Sequence, residues 1–313
     1  KGKKISKYKV SEYIFYENGN IINSDMKGNI NVFSVADNKT LIKFNFYKKK
    51  YKKINKKLNL IVENNIIYVS DNFGYFYAYN YLDGKLLWAK NYKVPFRSNL
   101  KIFGSKLIAA DQMNRLYFFD KNNGNTLKLV PSEETIVKNE FINNISSNKK
   151  SIFFLNTFGT LYSINKKSLR LNWFINLNQT LDLRPSNTFL SNQIVNNEKK
   201  IVISSRDYTF LIDSNSGSII QRFNFGSNTK PLILDDYLFL VSNNSFLISL
   251  ELNSGKIIYS YDLNEKISDF YNVKKRKIFP KNIVILSDNI YIFLENSYLV
   301  KLDIFGDLLE INK

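Results

Sequence analysis

Apolar residues fall in short runs along this chain, cut by Gly, Asn and Asp. Residues 66–71 (IIYVSD) and 75–80 (YFYAYN) form one such pair, with NFG between them at 72–74. A second turn, DG at 83–84, leads into KLLWAKN at 85–91. Runs rich in Ile, Val, Phe and Tyr between turn residues predict β-strands. The Gly, Asn and Asp supply positive φ at low cost. No 3.6-residue apolar period persists over a helix-length window.

The arrangement repeats. With Gly74 as anchor, equivalent positions are Gly28, Asn114, Gly159, Tyr208, Ser245 and Ser297, spaced 46, 40, 45, 49, 37 and 52 residues apart. The positions seven before, six before and two after the anchor are apolar in all seven units. Five after, Asp213 is the one exception. A second turn recurs nine or ten residues past the anchor, as DNK (37–39), LDGK (82–85), NNGN (122–125), NSGS (215–218), NSGK (253–256) and FGD (305–307), with KKSL (166–169) in the fourth unit. Each unit therefore reads as three strands joined by two short turns, with a further strand expected in the spacer. A period near 40–45 residues is that of a propeller blade. The expected fold is all-β, a β-propeller of four-stranded antiparallel blades with seven repeats visible, in a single domain over 1–313. A β-sandwich is the alternative.

Both tryptophans, Trp88 and Trp173, stand fourteen residues after their anchors, and Tyr259 shares the register, as do Lys128 and Arg222. A large ring on an outer strand can wedge against the neighbouring blade. Packing between blades is the expected role, with ligand contact as the alternative.

Composition narrows the chemistry. The chain has no Cys and no His. That removes disulfides, thiolate nucleophiles, the usual general base near neutral pH and the commonest metal ligand. Net charge is +18, which suits a polyanion partner or reflects a bias toward Lys, Asn, Ile, Phe and Tyr. Seven lysines crowd into 47–57 (YKKKYKKINKK), among them Lys48, Lys49, Lys50, Lys52 and Lys53. A second basic stretch, VKKRK at 273–277, holds Lys274, Lys275 and Arg276. Both lie in spacers, which should emerge on the side of the first turns. They read as solvated loops or as a surface for an acidic partner or anionic lipid head groups. No nucleic-acid-binding motif accompanies them, so a nucleic-acid partner is not favoured. No run of 18 apolar residues is present, and KGKKISKYKV at the start has no apolar core of a signal peptide.

The second unit, IIYVSDNFGYFYAYNYLDGKLLW (66–88), resembles the PQQ-like propeller repeat, and all seven units fit it in outline over about residues 11–311. Two families share this repeat. Quinoprotein dehydrogenases are enzymes that hold calcium and a quinone through carboxylates, often beside a vicinal Cys pair. The BamB family comprises outer-membrane assembly lipoproteins that act as scaffolds and are usually eight-bladed. Here there is no Cys pair, and Asp25, Asp71 and Asp111 recur three before the anchor as turn residues. No catalytic residue, metal or cofactor is expected.

The segment NLNQTLDLRPSN (176–187) is similar to the L-x-L-R loop with which BamB-family members grip a POTRA domain of BamA. The resemblance implies that Leu181, Leu183 and Arg184 are contact residues, and apolar anchors beside Arg are common hot-spot chemistry. Read from the residues alone, Leu181 and Leu183 are equally ordinary strand residues packed inward. Pro185 stands where the family has Gly, and FGSNTKP (225–231) lacks the acidic residues found there in the family. The implied function is a non-catalytic periplasmic scaffold at the inner face of the outer membrane. It is peripheral to that membrane and a monomer outside its complex, with BamA-like POTRA domains and other assembly-complex proteins as partners. The alternatives are a quinoprotein-like enzyme, or its degenerate relative, and a basic propeller that binds a polyanion.

Overall fold

The computed structural model describes residues 9–47, 51–135, 142–178, 189–227, 229–274 and 277–312. The chain divides into two compact units, 1–145 and 146–313. Three four-stranded antiparallel sheets occupy the first. They are β1 (Val10–Glu17), β2 (Asn20–Asp25), β3 (Asn29–Ser34) and β4 (Lys39–Asn45); β5 (Leu58–Glu63), β6 (Ile66–Asp71), β7 (Tyr75–Asn80) and β8 (Lys85–Asn91); and β9 (Lys101–Phe103), β10 (Lys106–Ala110), β11 (Leu116–Asp120) and β12 (Thr126–Val130). Strands pair in chain order within each sheet.

The fourth sheet begins at the unit boundary with β13 (Asn144–Ser147), followed by β14 (Ser151–Leu155), β15 (Thr160–Asn165) and β16 (Leu171–Asn176). The fifth is β17 (Val195–Asn196), β18 (Lys200–Ser204), β19 (Thr209–Asp213) and β20 (Ile219–Phe223). The sixth is β21 (Leu232–Leu234), β22 (Tyr237–Val241), β23 (Phe246–Glu251) and β24 (Ile257–Asp262). Helix α1 (Leu263–Phe270) follows. The seventh is β25 (Pro280–Leu286), β26 (Asn289–Leu294), β27 (Leu299–Asp303) and β28 (Leu308–Asn312). The spacer between units thus supplies the first strand of each sheet, as the repeat implied.

The apolar runs follow from burial on two faces. Successive strand residues point to opposite sides. Ile67 and Val69 pack with Ile22, Ile30 and Val32 of the first sheet. Tyr68 and Phe76 face the other way, onto Leu107 and Phe119 of the third. Equivalent layers join the fourth sheet to the fifth, the fifth to the sixth and the sixth to the seventh. Each fully buried side chain of this size contributes about 1.5–3 kcal/mol, so the core is divided among the layers between sheets. Burial falls off at the fourth strand, where β8 is largely exposed.

The first turn is fixed by one carboxylate or amide. Asp71 Oδ1 accepts from the amides of Phe73 and Tyr75, each at 2.8 Å. Asp25 and Asp111 do the same in their sheets, and Asn156 does so in the fourth. Gly74 (φ +85°) completes the turn, and a Cβ there would sit 2.8 Å from the Val94 amide nitrogen. Glycine is therefore required both for its φ and for the close passage of the next connection.

The fifth unit departs from the register read in the sequence. Its first turn is one residue shorter: Ser205 N–H donates to Tyr208 O, a span of three, whereas Asp111 N–H donates to Arg115 O, a span of four. Its third strand is therefore displaced by one. Ile212, not Asp213, occupies the position of Tyr79, since Ile212 pairs with Ile201 as Tyr79 pairs with Ile67. The apolar exception thereby moves from Asp213 to Thr209, a buried polar residue at the position of Phe76, and Gln221 rather than Arg222 takes the tryptophan register.

Trp88 and Trp173 are equivalent, opposite Ala78 and Ser163, with Tyr259 opposite Ser249. In every sheet a β-bulge follows this pair, between the third and fourth strands. Both rings are mostly, though not fully, buried. Each lies on the second-turn glycine of the next sheet, Trp88 on Gly124, Trp173 on Gly217, and Tyr259 with Tyr261 on Gly306. Trp88 Nε1 also donates to Lys121 O at 3.0 Å.

Candidate functional site

The connections between sheets run beside the first turns in both units. In the first, Lys56 N–H donates to Met26 O at 2.9 Å and Lys57 N–H to Asn72 Oδ1 at 2.9 Å. In the second, residues 277–281 line a cavity with Ser242 and Ser245. Lys52, Lys53 and Lys274 are exposed. Lys48, Lys49, Lys50, Lys275 and Arg276 lie outside the described residues.

Leu181, Leu183 and Arg184 also lie outside the described residues, but both ends of their segment are fixed. Leu177 N–H donates to Gly159 O at 2.8 Å, and Phe189 N–H to Thr157 O at 2.8 Å. Leu177 and Phe189, which bracket the segment, are therefore both held at the first turn of the fourth sheet. Phe189 packs on Gly159 and lies 6.3 Å, ring to ring, from Phe210.

Three cavities of about 370, 340 and 440 Å³ open along the first-turn side of the second unit. The first two share Leu190, Ser205 and Arg206, and the last two share Asn243, so they form one groove. It starts at Leu177 and Phe189, the ends of the segment just described, and runs to 277–281. Its walls pair cations with rings. The Arg222 guanidinium is 4.8 Å from the centre of the half-exposed Tyr208 ring, and Lys277 Nζ is 5.4 Å from that of exposed Phe279. Such pairs suit aromatic or acidic side chains of a partner. The floor is polar: Asn192 Nδ2 donates to Thr229 O at 2.9 Å, Ser227 Oγ to Val241 O at 2.6 Å, and Asn243 Nδ2 to Arg206 O. Asn243 Oδ1 is buried without a hydrogen-bond partner among the described residues. Sequence reasoning missed Arg206, Tyr208, Arg222 and Phe279. They sit in three separate stretches with no shared motif, and only the fold assembles them.

Among the described residues no three acidic side chains cluster closely enough to hold a metal ion. No described helix is long and apolar enough to cross a membrane.

Stacked four-stranded sheets with this turn chemistry define a β-propeller built of PQQ-like blades. The family described as outer membrane protein assembly factor BamB matches residues 26–261, and the chain belongs to that family. Its structure is similar to that of BamB from Moraxella catarrhalis, with a TM-score of 0.73 at 12% identity over 96% of this chain and 87% of the other. It also resembles the computationally designed Ika8 protein (TM-score 0.69, 8% identity, 94% and 83% covered). A third likeness is to the β-propeller domain of Cps50 (Swd1) from Myceliophteria thermophila (TM-score 0.58, 11% identity, 94% and 95% covered). At these identities the likenesses establish the fold alone. No curated protein sequence matches the chain.

Proposed function

We propose that this protein is a non-catalytic, periplasmic scaffold of outer-membrane β-barrel assembly, docking through segment 178–188 and the adjoining groove onto a POTRA domain of a BamA-like protein. Family membership over 26–261 carries the reading. The groove supports it, because it opens at both fixed ends of the segment that holds Leu181, Leu183 and Arg184. The leucines are the apolar anchors, Arg184 the charged one, and Arg222 on Tyr208 extends the surface.

Leu183→Ala tests the assignment. A docking leucine leaves the urea midpoint nearly unchanged, while affinity for the purified periplasmic domains of the cognate BamA-like protein falls about thirtyfold, or about 2 kcal/mol. A core leucine instead costs about 2–5 kcal/mol of stability. A large midpoint loss, or unchanged stability with unchanged binding, rejects the docking role.

A further inference from the structure

The first unit carries a surface with different chemistry. At the first-turn end of its first two sheets the described charged side chains are Lys9, Lys27, Lys52, Lys53, Lys56, Lys57 and Lys93, against only Asp25 and Asp71, while exposed Glu133 and Glu134 belong to the third sheet. Both aspartates are buried, at 2% and 0% exposure. Lys9, Lys52, Lys53, Lys57 and Lys93 are exposed. Every exposed charge described at that end is therefore positive.

Residues 51–57 supply three of its exposed lysines, and they are held firmly. Tyr51 packs on Phe73 and Tyr47, at 5.1 and 6.3 Å between ring centres. Tyr47 O–H donates to the buried carboxylate of Asp71. Asn72 Nδ2 donates to Asn55 O at 3.3 Å, and Ile54 N–H to Tyr51 O at 3.2 Å. Lys56 turns inward, only 4% exposed, with Nζ donating to Tyr51 O. Burying an ammonium group among other lysines is unfavourable, yet here it braces the turn. Lys52 and Lys53 are exposed, and Ile54, 49% exposed, lies between them and exposed Lys57 along the loop.

We propose that residues 51–57 are a docking loop for an anionic phospholipid bilayer: Ile54 enters the interface while Lys52 and Lys53 meet lipid phosphates. An exposed apolar side chain flanked by long cationic ones suits a planar interface, because lysine stems lie along apolar surface and keep their charge at head-group level. One-signed charge around it provides attraction to an anionic leaflet. Acidic polypeptides share the charge but do not call for an exposed isoleucine among the lysines.

The test uses the full chain and co-sedimentation with vesicles of phosphatidylcholine alone or mixed with phosphatidylglycerol. Binding to the mixed vesicles is expected, weakened by salt. Lys52→Gln with Lys53→Gln should lower it more than about tenfold, at roughly fivefold per lysine. Ile54→Ser should lower it several-fold. Lys85→Gln with Lys199→Gln, two exposed lysines elsewhere, removes the same charge and should leave binding within about twofold of the parent. The proposal is overturned if the control pair weakens binding as much as the loop pair, or if Ile54→Ser has no effect. It is also overturned if poly-glutamate binds the loop while the mixed vesicles do not. POTRA binding is read separately in the other unit, so failure here leaves that assignment intact.

Discussion

At the scale of single residues, the two tryptophans show what this chain does with its largest side chains. A Cβ on Gly124 would lie 2.6 Å from Trp88, and one on Gly217 would lie 2.5 Å from Trp173. The glycine is thus half of a contact whose other half sits in the preceding sheet. Gly124→Ala must both adopt a positive φ (+72° in the parent) and displace the ring. We expect it to lower stability by about 2–4 kcal/mol. Trp88→Ala should cost about as much by losing the ring. The double variant should cost clearly less than the sum, because without the ring only the φ penalty remains. Additive urea midpoints would mean that ring and glycine act independently. The register of Trp88 and Trp173 was legible from sequence, but their glycine partners were not, since each pair spans two repeats.

Elements explain which parts of the fold sequence could and could not reveal. Strands β6, β7 and β8 were readable because they are apolar, short and bounded by turn residues. The fifth first turn escapes the spacing pattern, because a turn shorter by one residue leaves no mark in composition. Helix α1 was invisible to periodicity at eight residues. Its one local signal is Asp262, whose carboxylate caps the Asn264 amide at 2.8 Å. The first turns also carry a testable charge. Burial pushes the Asp71 carboxyl from an ordinary 3.8 up to about 6, against the hydrogen bonds from Tyr47 and the turn amides that favour its ionised form. In the folded state it therefore holds its proton to higher pH than in the unfolded chain. Its contribution to stability is greatest below about pH 4 and is lost as pH rises through 6. Asp71→Asn should remove that dependence and keep the turn, because Asn156 makes the same amide bonds in the fourth sheet. Relative to the variant, the parent should lose about 2–3 kcal/mol between pH 4 and pH 7. Parallel urea midpoints for the two proteins across that range would show that Asp71 ionises normally.

At the scale of the whole molecule, composition and burial together set the response to alkali. With no histidine and no cysteine, no side chain has an ordinary pKa between about 5 and 9. Above the Asp71 transition, stability and the net charge of +18 should therefore hold level through neutrality. The 20 tyrosines then take over. Burial pushes Tyr68 up to about 12 and raises Tyr47 and Tyr77 further, with Asp71 nearby adding to the effect on both. Burial raises Tyr117 and Tyr259 as well. A phenol whose folded pKa exceeds its unfolded value of about 10 supports folding below that pH and withdraws the support above it. Lys56, Lys166 and Lys230 act in the opposite sense, since burial lowers their pKa, but they are three groups against at least five. The expected profile is a plateau from about pH 6.5 to 9.5 and a steep fall above pH 10. Tyr77, with no exposed surface, should carry a measurable part of that fall. Tyr77→Phe should shift the alkaline midpoint upward even if it lowers stability at pH 7, because the substitution removes an ionisation and keeps the ring. An alkaline midpoint that stays fixed in Tyr77→Phe and Tyr47→Phe alike would place the ionisation that unfolds the chain outside the first two sheets.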